Sequence, residues 1–178
     1  TINCHFWSFY RPPGPEETYT QSLDEISART QELDNIEGVR IVMQGGVNRD
    51  LAFEWCENLL RQLCTRHPSI AIDCFSPIEI EGIAEVSELS TLEVLTRLKA
   101  AGMHGLPGGG AEMLVDDVRK DVSPKKGLPA NWLRVMEEAQ SLGLTTSATN
   151  VIGFGETFEQ RVEHMDRLRQ LQDRSLEQ

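Results

Sequence analysis

Short apolar runs alternate along this chain with longer stretches in which apolar residues recur at helical spacing. The runs at residues 39–43, 70–75 and 144–152 have the length and composition of strands. The stretches between them have the pattern of helices that bury one face. No linker or low-complexity segment interrupts the alternation. The pattern therefore predicts repeated βα units within one domain.

Polar residues ahead of the helical stretches mark where the helices begin. Ser22 and Ser90 each stand three residues before a glutamate, which is the spacing of a capping box. Gly102 is placed to end the helix that Ser90 begins. The predicted starts are Ser22, Asp50, Ser76, Ser90, Pro129 and a position near Thr157. The residues expected to face the core are Leu51, Trp55, Leu59, Leu60, Leu63, Leu92, Leu95, Leu98, Trp132, Val135, Met136 and Ala139.

Repeated βα units predict an α/β fold, a parallel sheet with helices outside. The sheet is either an open wound sheet or part of a (βα) barrel. Ligands of both architectures bind at the C-terminal ends of the strands. Gly45, Gly46, Ser76 and the segments 108–112 and 153–156 all fall at such ends. We therefore expect them to form one functional rim.

Composition narrows the class of protein. The chain has 178 residues, 39% of them apolar and 25% charged, which is ordinary for one globular domain. Its net charge of −11 argues against binding a nucleic-acid backbone, which needs a basic face. No apolar run approaches the roughly 20 residues of a membrane-spanning helix, and the N-terminal residues lack the order of a signal peptide. We expect a cytoplasmic protein without nucleic-acid or membrane partners.

The cysteines and histidines do not show the spacing of a disulfide framework or of a mononuclear metal site. Cys4, Cys56, Cys64 and Cys74 contain no C-x-x-C pair. Cys56 and Cys64 lie on one predicted helix, roughly 12 Å apart by helical rise, and are expected to be buried as small apolar residues.

The first residues suggest an iron–sulfur ligand loop. A cluster with one open iron needs three thiolates on a short loop, usually spaced C-x3-C-x2-C. With Cys4 as the middle ligand, the first falls immediately before Thr1 and the third falls at Trp7, which cannot bind iron. The alternative is that Cys4 is an ordinary buried thiol among core aromatic residues. The loop alone does not separate these two interpretations.

Four further motifs resemble one enzyme family in order and spacing. They are Val42-Met43-Gln44-Gly45-Gly46-Val47-Asn48, Phe75-Ser76-Pro77-Ile78-Glu79-Ile80, Leu106-Pro107-Gly108-Gly109-Gly110-Ala111-Glu112 and Val122-Ser123-Pro124-Lys125-Lys126. Together with the Cys4 loop, they are similar to the cyclic dehypoxanthine futalosine synthases, which are radical S-adenosylmethionine enzymes of the futalosine route to menaquinone. The similarity runs from Asn3 to about Asp173. The aminofutalosine synthases and the deazaflavin-forming synthases share the outline and remain alternatives.

The resemblance implies a fold and an activity. The fold would be a partial (βα) TIM-type barrel of the radical SAM kind, with residues 1–178 forming one core domain of about five βα units. The cofactors would be a four-iron four-sulfur cluster and S-adenosylmethionine, with flavodoxin or ferredoxin as electron donor. The substrate would be a nucleoside, dehypoxanthine futalosine, which loses a ribose hydrogen and closes a ring onto its aromatic group.

The resemblance also implies site residues. Cys4 would bind the cluster, and Tyr10 and Arg11 would line the mouth of the site. Glu112 would accept hydrogen bonds from ribose hydroxyl groups, and Ser76 would contact the substrate or cofactor. The implied cofactor-binding residues are Phe6, Gly45, Gly46, Ser76, Glu112, Gly153 and Glu156. No catalytic acid or base is assigned.

Simpler interpretations accompany these roles. Gly45-Gly46 can be a tight turn, and Glu112 can stabilise a helix N-terminus through its dipole. Gly155 fits a plain turn between strand and helix, and Lys125 and Lys126 can be solvated charges. The chain also departs from the family at Trp7, at the missing first cysteine and where it stops. These departures predict an incomplete and inactive copy; the alternative is a non-catalytic remnant that binds a nucleoside.

Overall fold

The computed structural model describes residues 19–177. The predictions for Cys4, Phe6, Trp7, Tyr10 and Arg11 lie outside the described residues. The helices of the described part are α1 (Leu23–Asn35), α2 (Phe53–Arg66), α3 (Pro77–Ser87), α4 (Thr91–Ala101), α5 (Asp116–Val122), α6 (Pro129–Ser141) and α7 (Phe158–Leu176). The strands are β1 (Arg40–Met43), β2 (Ala71–Cys74), β3 (Gly105–Leu106) and β4 (Thr145–Thr146), and a 3-10 turn covers Pro124–Lys126.

The strands form one parallel sheet in the order β1-β2-β3-β4. Gly105 is paired with both Asp73 and Thr145, so the short β3 joins β2 to β4. Strand order follows chain order without the reversal that marks an open, doubly wound sheet. Helices α2, α4, α6 and α7 pack successively against one another. This arrangement is that of a partial α/β barrel, so the predicted fold class is confirmed.

Most predicted helix starts are confirmed. Ser22, Ser90 and Thr157 each form a complete capping box, and Ser76 caps α3 with Pro77 in the first turn. The prediction for Asp50 is wrong, because α2 has Ala52 at its N-cap. Asp50 instead lies in a turn, where its backbone N–H donates to the Asn48 side chain at 3.1 Å.

The main core lies between the sheet and the helices. It includes the expected apolar face of α6, formed by Trp132, Val135, Met136 and Ala139. The prediction for Leu92 is wrong, since 44% of this residue is exposed. The inward face of α4 is centred on Leu98, and Leu92 points roughly 120° away from it.

Two predicted strands differ from the observed ones. The segment 39–43 does not behave as a buried apolar strand, because Val39 and Val42 are largely exposed. Strand β1 lies at the edge of the described sheet, and Nη1 of its Arg40 donates to both carboxylate oxygens of Asp73 on β2. The segment 144–152 contains only the two-residue strand β4. After Thr146 the backbone leaves the ladder and contacts the glycine-rich loop instead.

The structure also contains an element that the sequence pattern did not predict. Helix α5 directly follows the glycine-rich loop and carries the buried side chain of Arg119. Within residues 19–177 no helix is both long enough and apolar enough to cross a membrane.

Candidate functional site

The loops after β1 and β2 meet through one carboxylate. The Gly45 N–H donates to Oε1 of Glu79 at 2.9 Å, and the Ser76 hydroxyl donates to Oε2 at 2.7 Å. The sequence predicted Gly45 and Ser76 as site residues separately, whereas Glu79 was named only as a member of the motif that begins at Phe75. The structure brings the two predicted residues together, and Glu79 is the residue that joins them.

Glu79 is buried, and burial raises the pKa of its carboxyl group, while the hydrogen bonds from Ser76 and Gly45 act in the opposite direction. The carboxylate therefore lies in an apolar setting but has a donor for each oxygen. It can fix the loop that contains Gly45 and Gly46 without itself reaching solvent. Its place in the sequence, three residues after a capping serine, hid this second role.

The glycine-rich loop is pressed against its neighbours on both sides. A side chain at Gly108 would collide with the carbonyl group of Ser147 after β4. The Gly108 N–H donates to the Ser147 hydroxyl at 3.0 Å, and the Thr149 hydroxyl donates to the Gly108 carbonyl at 3.0 Å. A Cβ atom on Gly109 would lie 2.6 Å from the Gln44 amide nitrogen after β1. Glycine is required here because backbone and side chains approach closely.

Glu112 ends this loop in an unusual conformation. Its φ of 39° lies in the left-handed region, which non-glycine residues seldom adopt. Oε1 forms an ion pair with Nζ of Lys126 at 2.6 Å, and Oε2 lies 3.9 Å from the Arg119 guanidinium. Oε2 is buried and accepts no hydrogen bond. Lys126, which the sequence left open as a solvated charge, is therefore part of the site.

Arg119 on α5 holds the backbone around Glu112. Only 3% of this arginine is exposed, and its guanidinium donates to the carbonyl groups of Gly110, Ala111, Lys126 and Gly127. Burial lowers the pKa of the guanidinium, and the nearby Glu112 carboxylate acts in the opposite direction. The sequence carried no signal for this role, because the Arg119 contacts join segments that only folding brings together.

His164 contacts the segment that follows Glu112. The residue is completely buried in α7, and its Nδ1 accepts the Leu114 N–H at 3.0 Å. Nδ1 can accept only in the neutral ring, so the proton lies on Nε2, which has no partner. Burial lowers the pKa of His164, and the charge of Arg119 lowers it further.

The loop after β4 carries Glu156, whose carboxylate is engaged within its own segment. It accepts the N–H groups of Gly153 and Phe154 and the Arg161 side chain, at 2.7 to 3.1 Å. These backbone hydrogen bonds, that of Gly153 first, lower the pKa of Glu156 to about 2. Gly153 and Gly155 have positive φ angles, and a side chain on either would meet no atom within 4 Å. The backbone of this loop is therefore open to a close-lying ligand.

The loops after β3 and β4 are also joined through Glu112. Its carbonyl oxygen accepts the Val151 N–H at 2.9 Å. The predicted residues Gly45 and Ser76 thus share one contact centre, and Glu112 lies beside the segment that leads to Gly153. Gly46 lies exposed next to Gly45. The cofactor-binding roles of these residues and of Glu156 stay predictions.

The described residues do not contain a metal centre of their own. No group of three or more histidine, cysteine, aspartate or glutamate side chains within residues 19–177 is placed to hold a metal ion. Cys56, Cys64 and Cys74 are free thiols. Burial raises the pKa of Cys56 to about 11 and that of Cys74 well above its usual value, so neither supplies a thiolate at neutral pH. The thiols of residues 19–177 therefore do not supply the three thiolates of a cluster, and the cluster-binding role of Cys4 stays a prediction.

The described rim fits a nucleoside-bearing cofactor such as S-adenosylmethionine. Glu112 offers a buried acceptor without a partner, the group that a ribose hydroxyl needs. Gly45, Gly153 and Gly155 leave space beside the backbone, since a Cβ on these residues would meet no atom closer than 3.8 Å. Acceptor and open backbone occur together on one edge of the sheet.

Comparisons with known proteins agree on a superfamily. The family model described as Radical SAM superfamily matches residues 2–168. The chain is 43% identical over 170 residues to the cyclic dehypoxanthine futalosine synthase of Halalkalibacterium halodurans, with 96% of this chain and 46% of the relative covered. It therefore spans about half the length of that relative.

Two other relatives carry different enzyme names. The aminodeoxyfutalosine synthase of Thermus thermophilus is 34% identical over 172 residues, with 97% of this chain and 46% of the relative covered. The 5-amino-6-(D-ribitylamino)uracil–L-tyrosine 4-hydroxyphenyl transferase of Cyanothece sp. is 34% identical over 181 residues, with 99% and 48% covered. All three relatives carry the names of enzymes, and the described residues give no support to the inactive copy that the sequence suggested.

Proposed function

The chain belongs to the radical SAM superfamily, and from this premise we propose that it forms the core of an enzyme that converts dehypoxanthine futalosine to its cyclic form. Enzymes of this superfamily use a four-iron four-sulfur cluster and S-adenosylmethionine. The 43% identity to a named cyclase, against 34% to the two sister enzymes, is the observation that carries this choice. We propose residues 1–178 as one domain, with flavodoxin or ferredoxin as electron donor.

The cluster and S-adenosylmethionine supply the radical chemistry when they are bound, while the protein binds, orients and shields the reacting groups. Gly45 and Gly46 let the backbone approach the methionine part of the cofactor. Glu79 keeps that backbone in place through Gly45 and accepts a hydrogen bond from the Ser76 hydroxyl, which holds the loops after β1 and β2 together. These contacts would fix the position of the ligand before the reaction.

Glu112 and the loop after β4 would hold the nucleoside. Oε2 of Glu112 would accept a ribose hydroxyl, because the other oxygen is already engaged by Lys126. Gly153 would lie against the adenine, and Glu156 would act by keeping the loop of Gly153 in shape. Phe6 would pack on the adenine face. Close packing of these groups would also exclude water from a reactive intermediate.

The identity of the substrate can be tested with the full-length protein. After anaerobic reconstitution with iron and sulfide, the natural protein and its Trp7→Cys variant are each given dehypoxanthine futalosine, the substrate of aminofutalosine formation or that of the deazaflavin precursor, with S-adenosylmethionine and a reductant. Cyclic product from dehypoxanthine futalosine alone is expected. Turnover of a sister substrate alone would overturn the assignment. Because the sister names recur among the relatives, all three assays are needed.

The metal role proposed for Cys4 needs its own test, because Trp7 occupies the position of the next thiolate. Iron per chain and visible absorbance are measured for the natural sequence and for Trp7→Cys. A higher iron content, toward about four per chain, is expected in the variant if this segment is a ligand loop. Equal iron in the variant and in a Cys4→Ala protein would contradict the proposal.

A further inference from the structure

The groups around Glu112 form a closed ring of contacts. Lys126 holds one carboxylate oxygen at 2.6 Å. Arg119 donates to the carbonyl groups of the two residues that precede Glu112, at 2.7 and 2.9 Å. It also donates to those of Lys126 and Gly127, at 3.2 and 2.9 Å. One buried guanidinium therefore ties both ends of the Glu112–Lys126 ion pair to each other.

The backbone of Glu112 shows that this ring does more than connect two loops. A φ of 39° for a glutamate is strained, and such a conformation persists only when the surroundings determine it. The hydrogen bonds to the two preceding carbonyls fix the chain at its entry into this residue. The Val151 N–H, which donates to the Glu112 carbonyl, fixes the chain at its exit. Strain held in this way is typical of functional positions.

The side chain of Glu112 also has the features of a functional position. A buried carboxylate oxygen without a hydrogen-bond donor is unfavourable, and native proteins seldom keep one. Lys126 and Arg119 place two positive charges beside the carboxylate, at 2.6 Å from Oε1 and 3.9 Å from Oε2. Oε1 is engaged by Lys126, so Oε2 is the carboxylate oxygen that has no hydrogen-bond donor from the protein.

We propose that Arg119 is a positioning residue for nucleoside binding, holding the strained backbone of Glu112 so that Oε2 is directed to a ligand hydroxyl. The inference rests on the proposed role of Glu112 as a nucleoside contact. Arginine suits this task because its planar fork reaches carbonyl groups on two segments at once. Lysine carries its three N–H donors on a single nitrogen and cannot span the two segments as the guanidinium does.

A double-mutant cycle tests whether Arg119 acts through Glu112. Equilibrium binding of S-adenosylmethionine is measured for the cluster-loaded, full-length protein, and for Arg119→Gln, Glu112→Gln and the double variant. Each single change is expected to weaken binding about tenfold. The double variant should bind no more than about twofold more weakly than the weaker single variant, because both changes remove the same contact. Arg169→Gln, on the exposed face of α7, is the control and should leave binding unchanged.

Two further measurements separate positioning from a purely structural role. In turnover, Arg119→Gln is expected to raise KM for S-adenosylmethionine about tenfold and to leave kcat within about twofold. Arg119→Lys keeps the charge and should recover part of the affinity. If the thermal melt shows that Arg119→Gln does not fold, the cycle is run with Arg119→Lys.

The outcomes distinguish the inference from the function on which it rests. Additive losses, about a hundredfold in the double variant, would overturn the positioning role alone. Unchanged affinity in Glu112→Gln would overturn the nucleoside contact and, with it, the role of Arg119. Turnover of dehypoxanthine futalosine would in that case still support the proposed reaction.

Discussion

The loops after β3 and β4 both contain glycines and a glutamate, yet the two carboxylates do different work. Glu156 has its oxygens occupied by its own loop and by Arg161. Glu112 is strained, held by groups from other segments, and keeps one oxygen without a donor. The comparison indicates that a carboxylate can accept a ligand when the surrounding groups hold it in place but leave one of its oxygens without a hydrogen-bond donor.

The largest expected effect comes from adding a side chain to the glycine-rich loop after β3, where the neighbouring backbone leaves no room for one. Gly108→Ala places a methyl group against the Ser147 carbonyl, and the backbone on both sides has little freedom to move. We expect a loss of about 3 kcal/mol in the free energy of unfolding. In Gly155→Ala, where the new methyl group meets nothing within 4 Å, only the positive φ is unfavourable, at about 1 kcal/mol. Urea unfolding measures both, and equal losses would contradict the comparison.

The segment that follows the glycine-rich loop is also stabilised by a hydrogen bond to the buried His164 ring. His164→Ala removes the acceptor of the Leu114 N–H and leaves a cavity, so we expect a loss of about 2 kcal/mol in unfolding free energy. His164→Asn offers an oxygen to the same N–H and should lose less. Chemical denaturation at pH 8, where the histidine is neutral in both states, provides the measurement. A loss in His164→Asn as large as in His164→Ala would argue against the hydrogen bond.

The same histidine makes stability depend on pH. Its pKa is lowered in the folded protein, so the unfolded chain takes up a proton first as the pH falls. Stability should therefore decline as the pH drops below the ordinary histidine value of 6.5, and continue to decline down to the folded pKa. The decline should be smaller in His164→Asn. The free energy of unfolding is measured between pH 8 and 5 for the natural protein and for His164→Asn. An equal decline in both proteins would contradict the prediction.

The two glutamates should differ in ligand affinity. Glu112→Gln is expected to weaken S-adenosylmethionine binding about tenfold, because it changes a carboxyl group whose Oε2 accepts no hydrogen bond from the protein. Glu156→Gln is expected to change affinity by less than about twofold, since its carboxylate contacts only the protein. Calorimetric titration of the cluster-loaded protein compares them. A larger loss in Glu156→Gln would reverse the assignment of roles.

The smallest effect is local and appears at low pH. Because the pKa of Glu156 is lowered to about 2, its loop contacts are complete above the usual value of 4.5 and are lost as the pH falls toward 2. Protection of the Gly153 and Phe154 amides against exchange, taken relative to the intrinsic rate at each pH, should fall in that interval. Glu156→Gln should show no such fall. Protection that stays constant with pH in the natural protein would contradict the contacts.

Much of the fold could be predicted because its signals are local. The capping boxes at Ser22 and Ser90 depend on residues three positions apart, and the apolar face of α6 repeats at helical spacing. The prediction failed at Asp50, which was a plausible cap but lies in a turn. It also failed for residues 144–152, where contacts with the glycine-rich loop replace strand pairing.

The candidate site could be predicted only in part. Gly45, Ser76 and Glu112 follow strands, so the sequence alone places them on one rim. The sequence did not reveal the roles of three further residues, because their contacts join segments that are far apart in the chain; these residues are Glu79, Arg119 and His164. Arg119, for example, binds carbonyl groups on two separate segments, and backbone carbonyls have no signature in a sequence.

The sequence by itself therefore determined the alternation of strands and helices, the parallel rim and the superfamily, because these follow from periodicity, capping and ordered motifs. Only the tertiary structure decided which glutamate keeps a carboxylate oxygen without a hydrogen-bond donor. Glu112 and Glu156 are the same residue type. They differ in the hydrogen-bond donors and charges that folding places around each carboxylate.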